Sequence, residues 1–271
     1  MIGENLHIVV CVKQTPAATA ALQYDAAGMP VAAQWAMNPF DEYALEEGVR
    51  IKERLTGKTV VTVLTLGAAG AIDAIRDAIA RGADGGVLLS SPDFAGGDTY
   101  ATAYALSSAV RRLSKDKGPV DLLLFGKLTN DSDTGSVGAQ VAALLDFPCT
   151  LFVRKVAELG GGKITVERAV EDGSDLIEMD LPAGVGVTKE TNEPRIASLK
   201  GKMASKKAEI PTWGPADIGA DAAKTGRKGA LALWGVPTVP PKRSGGVAID
   251  GATAQDKAKN LLAKLRESKL I

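Results

Sequence analysis

Two aspartates lie close together in the run Thr129 to Leu145, TNDSDTGSVGAQVAALL, and they are the first residues that could do chemistry. Asp131 and Asp133 could hold a metal ion or accept a phosphoryl group. The small and hydroxyl-bearing residues after them, Thr134, Gly135 and Ser136, could instead open a helix whose free amides bind a phosphate. Spacing decides against the first possibility. In the D-x-D-x-T arrangement of aspartyl-phosphate chemistry the first aspartate ends a strand, whereas Asp131 lies well past Phe125 and Gly135 stands where threonine is needed. GKLT at 126–129 lacks the GxxxxG spacing, and no hydroxyl follows its lysine directly, so it is not a P-loop. Two readings stay open. Either a phosphate docks on the helix start, or Asp133 merely N-caps a solvent-exposed helix whose apolar stripe is Val137, Val141, Leu144 and Leu145.

Other chemistry-bearing residue types are sparse. His7 is the single histidine and stands at the mouth of an apolar run without partners for a triad. Cys11 and Cys149 are isolated in apolar runs, with no CxxC and no nearby histidine, which argues against iron–sulfur and structural zinc sites. Any redox chemistry must therefore come from an organic cofactor.

The elements that must position these residues are legible as alternating patterns. The segments 7–12, 59–66, 86–90 and 121–125 are continuous apolar runs of the kind found in strands covered on both faces. Helical patterns fall between them at 38–55, 71–82, 98–115 and 134–146. In the first helix Phe40, Ala44, Gly48, Ile51 and Leu55 share a face, Glu46, Arg50 and Lys52 point elsewhere, and Asn38, Pro39 and Asp41 supply an N-cap, a first-turn proline and a first-turn acid. This alternation predicts a mostly parallel, doubly wound α/β sheet with right-handed crossovers. After Pro148 the runs 149–158, 163–170 and 174–187 read as strands of an antiparallel edge or a small subsheet. Residues 1–210 read as the nucleotide-binding α/β domain, and 211–271 as a Pro/Gly/Ala-rich arm ending in an amphipathic helix at 253–268 that lies on another surface.

In such a sheet, ligands bind beyond the carboxyl ends of the strands. Four stretches meet that condition: KQTPAAT after the first strand, Gly67 to Gly70 after the second, FAGGDT at 94–99 after the third, and TNDSDTGS. Together they predict a nucleotide or phosphate site built mostly from backbone.

With 271 residues, 45% of them apolar, the chain can bury a large core. Its 32 basic residues balance 32 acidic ones, so nothing in the overall charge points to nucleic acid or a membrane surface. No apolar run approaches the roughly 20 residues that span a bilayer, and MIGENLHIVVCVK enters a strand without a basic region or cleavage site. The expectation is a cytoplasmic protein without membrane insertion.

Three separated motifs carry a family resemblance. MNPFDEYALEEGVRIKE (37–53), the stretch 129–140 and NEPRIASLKGKMASKKAEI (192–210) occur in order, and together they resemble the beta (small) subunit of electron-transfer flavoproteins. The resemblance runs from about residue 7 to 212 and continues weakly to the C-terminal helix. It implies an adenine-nucleotide α-hydrolase-like fold and a heterodimer with an alpha subunit that holds FAD. It also implies a nucleotide in this subunit, touching Cys11, Asn38, Pro39, Phe40, Asp41, Leu66, Gly67, Thr129, Asp131, Asp133, Thr134, Gly135, Ser136, Val137, Gly138 and Gln140. In respiratory members that nucleotide is structural AMP; in electron-bifurcating members it is a second FAD that takes hydride from NADH. Asp131, Asp133, Thr134, Val137, Gly138 and Gln140 resemble the bifurcating pattern, as does the loop ending in Asp98 and Thr99, and they favour FAD. Ser136 departs from the glutamine common in that branch. The basic stretch resembles the family's recognition loop, with Leu199 as the anchor for an acyl-CoA dehydrogenase-type partner among Arg195, Lys200, Lys202, Lys206 and Lys207. No residue is expected to act as nucleophile or general base. A non-redox nucleotide-sensing or stress-type protein of the same fold is the alternative of another class.

Overall fold

The computed structural model describes residues 5–17, 23–24, 30–232 and 245–271. Ala18 and Thr19 of the KQTPAAT loop, and most of VPTVPPKRSGG, lie outside the described residues. Contacts divide the chain into two units, Met1–Val236 and Pro237–Ile271.

In the first unit β1 (His7–Cys11) is followed by two short antiparallel ribbons, β2 (Gln14–Pro16) with β5 (Trp35–Met37) and β3 (Gln23–Tyr24) with β4 (Pro30–Val31). Then helices alternate with strands: α1 (Pro39–Arg54), β6 (Val60–Leu66), α2 (Ile72–Ala80), β7 (Gly85–Leu89), α3 (Thr99–Lys117), β8 (Leu122–Gly126) and α4 (Val137–Leu144). A run of strands follows, β9 (Cys149–Gly160), β10 (Lys163–Val170), β11 (Gly173–Asp180) and β12 (Ala183–Val187), and then α5 (Leu199–Lys207), β13 (Thr212–Trp213) and the short α6 (Gly226–Gly229).

One sheet takes nine of these strands in the order β11-β10-β9-β12-β8-β1-β6-β7-β13. From β9 to β13 every pairing is parallel, and β9–β10–β11 is an antiparallel extension. The extension is thus continuous with the main sheet, because β12 returns to pair in parallel with both β8 and β9.

Both faces of the central strands are covered, which is why their sequences are apolar without alternation. Ile8, Val10, Val61, Val63, Leu122 and Leu124 pack under α1 and α2. On the opposite face Val9, Leu64, Val87, Leu89 and Leu123 pack under α3 and α4. His7 is part of this framework: its Nε2 lies 3.0 Å from Thr62 Oγ1 and its Nδ1 3.4 Å from the Gly118 carbonyl. Burial lowers its pKa, a packed role rather than a catalytic one.

One helix expectation gains a partner and another is corrected. Glu46 points away from the apolar face as expected, yet it is 6% exposed, covered by the segment that carries Arg195, a contact 149 residues away in sequence. The helix expected at 134–146 begins only at Val137, so Thr134, Gly135 and Ser136 form a turn before it. Ser136 is its N-cap, but its Oγ donates to the Thr134 carbonyl at 2.9 Å and does not cap the helix, and neither does Asp133. Asp133 instead takes a positive φ of 51° while its amide donates to the Thr129 carbonyl at 2.9 Å, closing the loop.

In the second unit α7 (Ala254–Glu267) starts with a capping box in which Thr253 Oγ1 accepts from the Asp256 amide and Asp256 Oδ2 accepts from the Thr253 amide, each at 3.1 Å. None of its residues is buried. No helix among the described residues is long and apolar enough to cross a membrane.

Candidate functional site

The carboxyl ends of β1, β6, β7 and β8 open into a cavity of about 750 Å³, within the range of roughly 300–1,000 Å³ usual for cofactor-sized ligands. Its floor is strand residues, Cys11, Leu64, Leu66 and Phe125, which are largely buried and exclude water. Its walls are the four loops anticipated from sequence. Lys13 comes from the loop after β1, Gly67 from the one after β6, Asp98 and Thr99 from the one after β7, and Thr129 with Thr134 to Gly138 from the one after β8. Asp41 enters from the first turn of α1.

Asn38, Pro39 and Phe40 sit behind this wall. Asn38 occupies the N-cap position of α1, but its side chain does not cap the helix. It spans to the facing loop instead: Nδ2 donates to the Leu128 carbonyl at 2.8 Å and Oδ1 accepts from the Asn130 amide at 3.1 Å. Pro39 supplies the first-turn proline. The backbone of Phe40 closes on Gly126, where a Cβ would stand 2.7 Å from the Phe40 carbonyl carbon and oxygen and 2.4 Å from Asp41 Oδ1. Only a glycine lets β8 and α1 meet so closely. Asp131, Asp133 and Gln140 lie off the lining. Gln140 Oε1 is buried without a hydrogen-bond partner among the described residues.

The charges around the cavity are mostly committed. Asp131 Oδ2 accepts from Lys13 Nζ at 2.5 Å. Burial alone would raise its pKa, but Lys13, with the Thr129 hydroxyl and the Asp131 amide, together hold it below the usual carboxylate value. Asp98 is spent on backbone: Oδ1 caps α3 through the Ala101 amide at 2.9 Å, and Oδ2 accepts from the amides of Leu231 and Ala232 at 2.7 and 3.0 Å. Burial opposes its ionisation, and these amides more than compensate, so it stays ionised below the ordinary value. Asp41 behaves oppositely. It is 5% exposed, and desolvation pushes it up to about 7 despite the Lys13 amide donating to Oδ2 at 2.8 Å.

What the cavity offers a ligand is chiefly backbone. The first amides of α4 have no acceptor within the helix, and the dipole makes that end favourable for an anion. With Asp131 neutralised by Lys13, a phosphate there meets little net repulsion. Apolar floor, glycine approach and free helix amides together fit a phosphate-bearing ligand with an apolar portion. Among the described residues no cluster of His, Cys, Asp and Glu could hold a metal ion. Burial pushes the Cys11 thiol far up, with the Asp41 charge adding to it, and Cys149 up to about 11, so neither is a ready nucleophile.

Sequence reasoning missed part of the wall. Ser90, Ser91 and Pro92 continue directly from β7 and were hidden in its apolar run, while Leu151 reaches the cavity because β9 pairs with β12. No local signal marks Leu151.

On the other face of the sheet, residues 192–207 form a second feature. Asn192 Nδ2 donates to the Tyr43 carbonyl at 3.0 Å and to Glu47 Oε2 at 3.2 Å. Arg195 lies along α1, and α5 follows with Ser198 as its N-cap, its Oγ accepting from the Gly201 amide at 3.0 Å. Ile196, Leu199 and Met203 are 90%, 77% and 60% exposed. Lys200, Lys202, Lys206 and Lys207 are exposed around them.

The chain is similar to known proteins over most of its length. Residues 30–218 match the model of the electron transfer flavoprotein domain. The chain is 37% identical over 254 residues to the electron transfer flavoprotein subunit beta of Megasphaera elsdenii, covering 90% of this chain and 91% of that one. It is 39% identical over 236 residues to the subunit of the same name from Thermoanaerobacterium thermosaccharolyticum, with 87% of each covered. It is 34% identical over 268 residues to the caffeyl-CoA reductase-Etf complex subunit CarD of Acetobacterium woodii, covering 98% of this chain and all of that one.

Proposed function

Because this chain belongs to the electron transfer flavoprotein family as a beta subunit, we propose that it holds FAD in its cavity and passes electrons as a heterodimer with an FAD-binding alpha subunit. The observation that supports FAD is the cavity itself: about 750 Å³, reaching from the α4 start across to the loop of Asp98 and Thr99, with Thr134 and Val137 on its wall. FAD bound there would supply the redox chemistry, taking hydride from NADH and dividing the electron pair between two acceptors. The chain's own residues bind and shield. The α4 amides would hold phosphate, Lys13 cancels the Asp131 charge, and Leu64, Leu66 and Phe125 would keep water from the bound cofactor. Residues 211–232, read from sequence as the start of a C-terminal arm, belong instead to the first unit, where Thr212–Trp213 pairs with β7; residues 237–271 act as the arm that packs on the alpha subunit. The partner is an acyl-CoA dehydrogenase-type enzyme; one relative is named for a complex with caffeyl-CoA reductase, which favours an enzyme working on a CoA thioester.

The test is nucleotide released by heat from the purified heterodimer. Two FAD per heterodimer is the expected result. One FAD and one AMP would reduce the reading to the respiratory type, and a complex without flavin absorbance would sink it in favour of a non-redox nucleotide-binding protein.

Docking runs through Leu199, whose exposed apolar side chain is ringed by mobile positive charge suited to a transient encounter. Leu199→Ala is expected to leave flavin content intact and raise KM for the dehydrogenase roughly thirtyfold, the equivalent of about 2 kcal/mol for burying a leucine. An unchanged KM in steady-state electron transfer would remove Leu199 from that role.

A further inference from the structure

Arg195 opens the docking segment, yet four of the five N–H groups of its guanidinium are committed inside the subunit. Nε donates to Glu46 Oε2 at 2.8 Å and Nη2 to Glu46 Oε1 at 3.1 Å; Nη1 and Nη2 donate to the two oxygens of Glu53 at 2.6 and 2.9 Å. Glu46 and Glu53 are two turns apart on α1 and so share one face of it. The Arg195 amide also donates to Glu46 Oε2 at 3.1 Å, and its carbonyl accepts from Arg81 Nη1 at 3.4 Å. Arg81 is in turn paired with Glu42 and Asp77 at 3.1 and 2.9 Å. Main chain and side chain of one residue are thus fixed to α1 and to the end of α2.

Farther along, the segment is fixed again. A Cβ on Gly201 would stand 2.1 Å from the Ala80 carbonyl oxygen, so α5 rests directly on α2 backbone. Arg76 Nη1 donates to the Ser205 carbonyl at 2.5 Å. Leu199 lies between these two fixed points and is still 77% exposed. An apolar side chain held outward from a pinned backbone loses little freedom on binding, and that lowers the ordering cost of docking.

We infer that Arg195 is a positioning residue, a clamp between Glu46 and Glu53 that presents Leu199, and not itself a contact to the partner. The inference rests on the docking role proposed for Leu199. The exposed Lys200, Lys202, Lys206 and Lys207 are left to steer the encounter.

The experiment uses the heterodimer carrying Arg195→Gln with Glu53→Gln, a pair that leaves net charge unchanged, beside Arg195→Lys, which keeps the charge but lacks the planar fork that engages both carboxylates. Amide hydrogen exchange and electron transfer to a purified acyl-CoA dehydrogenase are measured for each. In the double variant, exchange across 196–207 is expected to rise about tenfold with 129–140 unchanged, a local opening of the clamp. KM is expected to rise about tenfold, with kcat and the slope of log KM against ionic strength unchanged. Arg195→Lys is expected to restore neither exchange nor KM to the wild-type value. Wild-type exchange across 196–207 in the double variant, or a wild-type KM in Arg195→Lys, would overturn the inference. If Leu199→Ala leaves KM unchanged, the docking reading fails, and the exchange result still decides the clamp by itself.

Discussion

Gly126→Ala is expected to yield a heterodimer whose beta subunit carries no nucleotide and whose stability falls by about 1–3 kcal/mol, the usual cost of overpacking. The methyl group would enter a space already filled by Asp41 Oδ1 at 2.4 Å and by the Phe40 carbonyl group at 2.7 Å. Two of those three atoms are backbone at the start of α1, so no side-chain rotation relieves the contact. The first turn of α1 must retreat, and Asp41 and the Asn38 bridge to Leu128 and Asn130 go with it. That bridge holds the loop carrying Thr129 against the cavity. Gly70→Ala is the control, because nothing lies within 4 Å of a Cβ there. Nucleotide released by heat and a urea midpoint measure both effects, and wild-type nucleotide content in Gly126→Ala would show that α1 and β8 can part without cost to the site.

The second large effect is a pH dependence. Asp41 keeps its proton up to about pH 7 in the fold, whereas the ordinary value is 3.8. Between these limits folding takes up a proton, so the contribution of Asp41 to stability falls as pH rises and is fully lost above about pH 7. The separation of about three pH units corresponds to roughly 4 kcal/mol. The groups that face Asp41 are the Lys13 amide and charge, the Asn38 side chain, the Gly126 amide and the buried Cys11. Asp98 and Asp131 have lowered pKa values and run the opposite way, losing their contribution as pH falls. The informative quantity is therefore the difference between wild type and Asp41→Asn. Unfolding free energy from urea titrations of the nucleotide-free chain at pH 5 and pH 8 is expected to fall with rising pH by more in wild type than in the variant, which keeps the opposite contribution of His7. Parallel profiles would mean that the Asp41 carboxylate is solvated more than its burial indicates.

How far the sequence reached follows from the range of each interaction. The strands were legible because HIVVC, VVTVLTL and LLLFG are apolar throughout, the mark of strands covered on both faces. Their loops were legible because glycine and small residues follow each one, and the cavity gathers those loops. The burial of Glu46 was missed because the helical pattern of α1 says nothing about a partner 149 residues later. Asp133 was misread because a residue that could cap a helix could equally adopt a left-handed turn, and the turn closed on Thr129. Leu151 was invisible for a third reason. Its place in the wall depends on β12 returning between β8 and β9, a crossover that leaves no mark on the residues of β9.

The order of the cavity's parts along the chain has a consequence for biosynthesis. Every lining residue falls between Cys11 and Leu151, and the strand that wedges beside β8 is complete by Val187. The docking segment starts after that, and the amides of Leu231 and Ala232 that fasten onto Asp98 are made later still. A chain emerging N-terminus first therefore has every cavity-lining residue made before residues 192–207, and the fastening at Asp98 is made last. On the proposed function, the residues that would hold the nucleotide are therefore synthesised before those that would dock a partner.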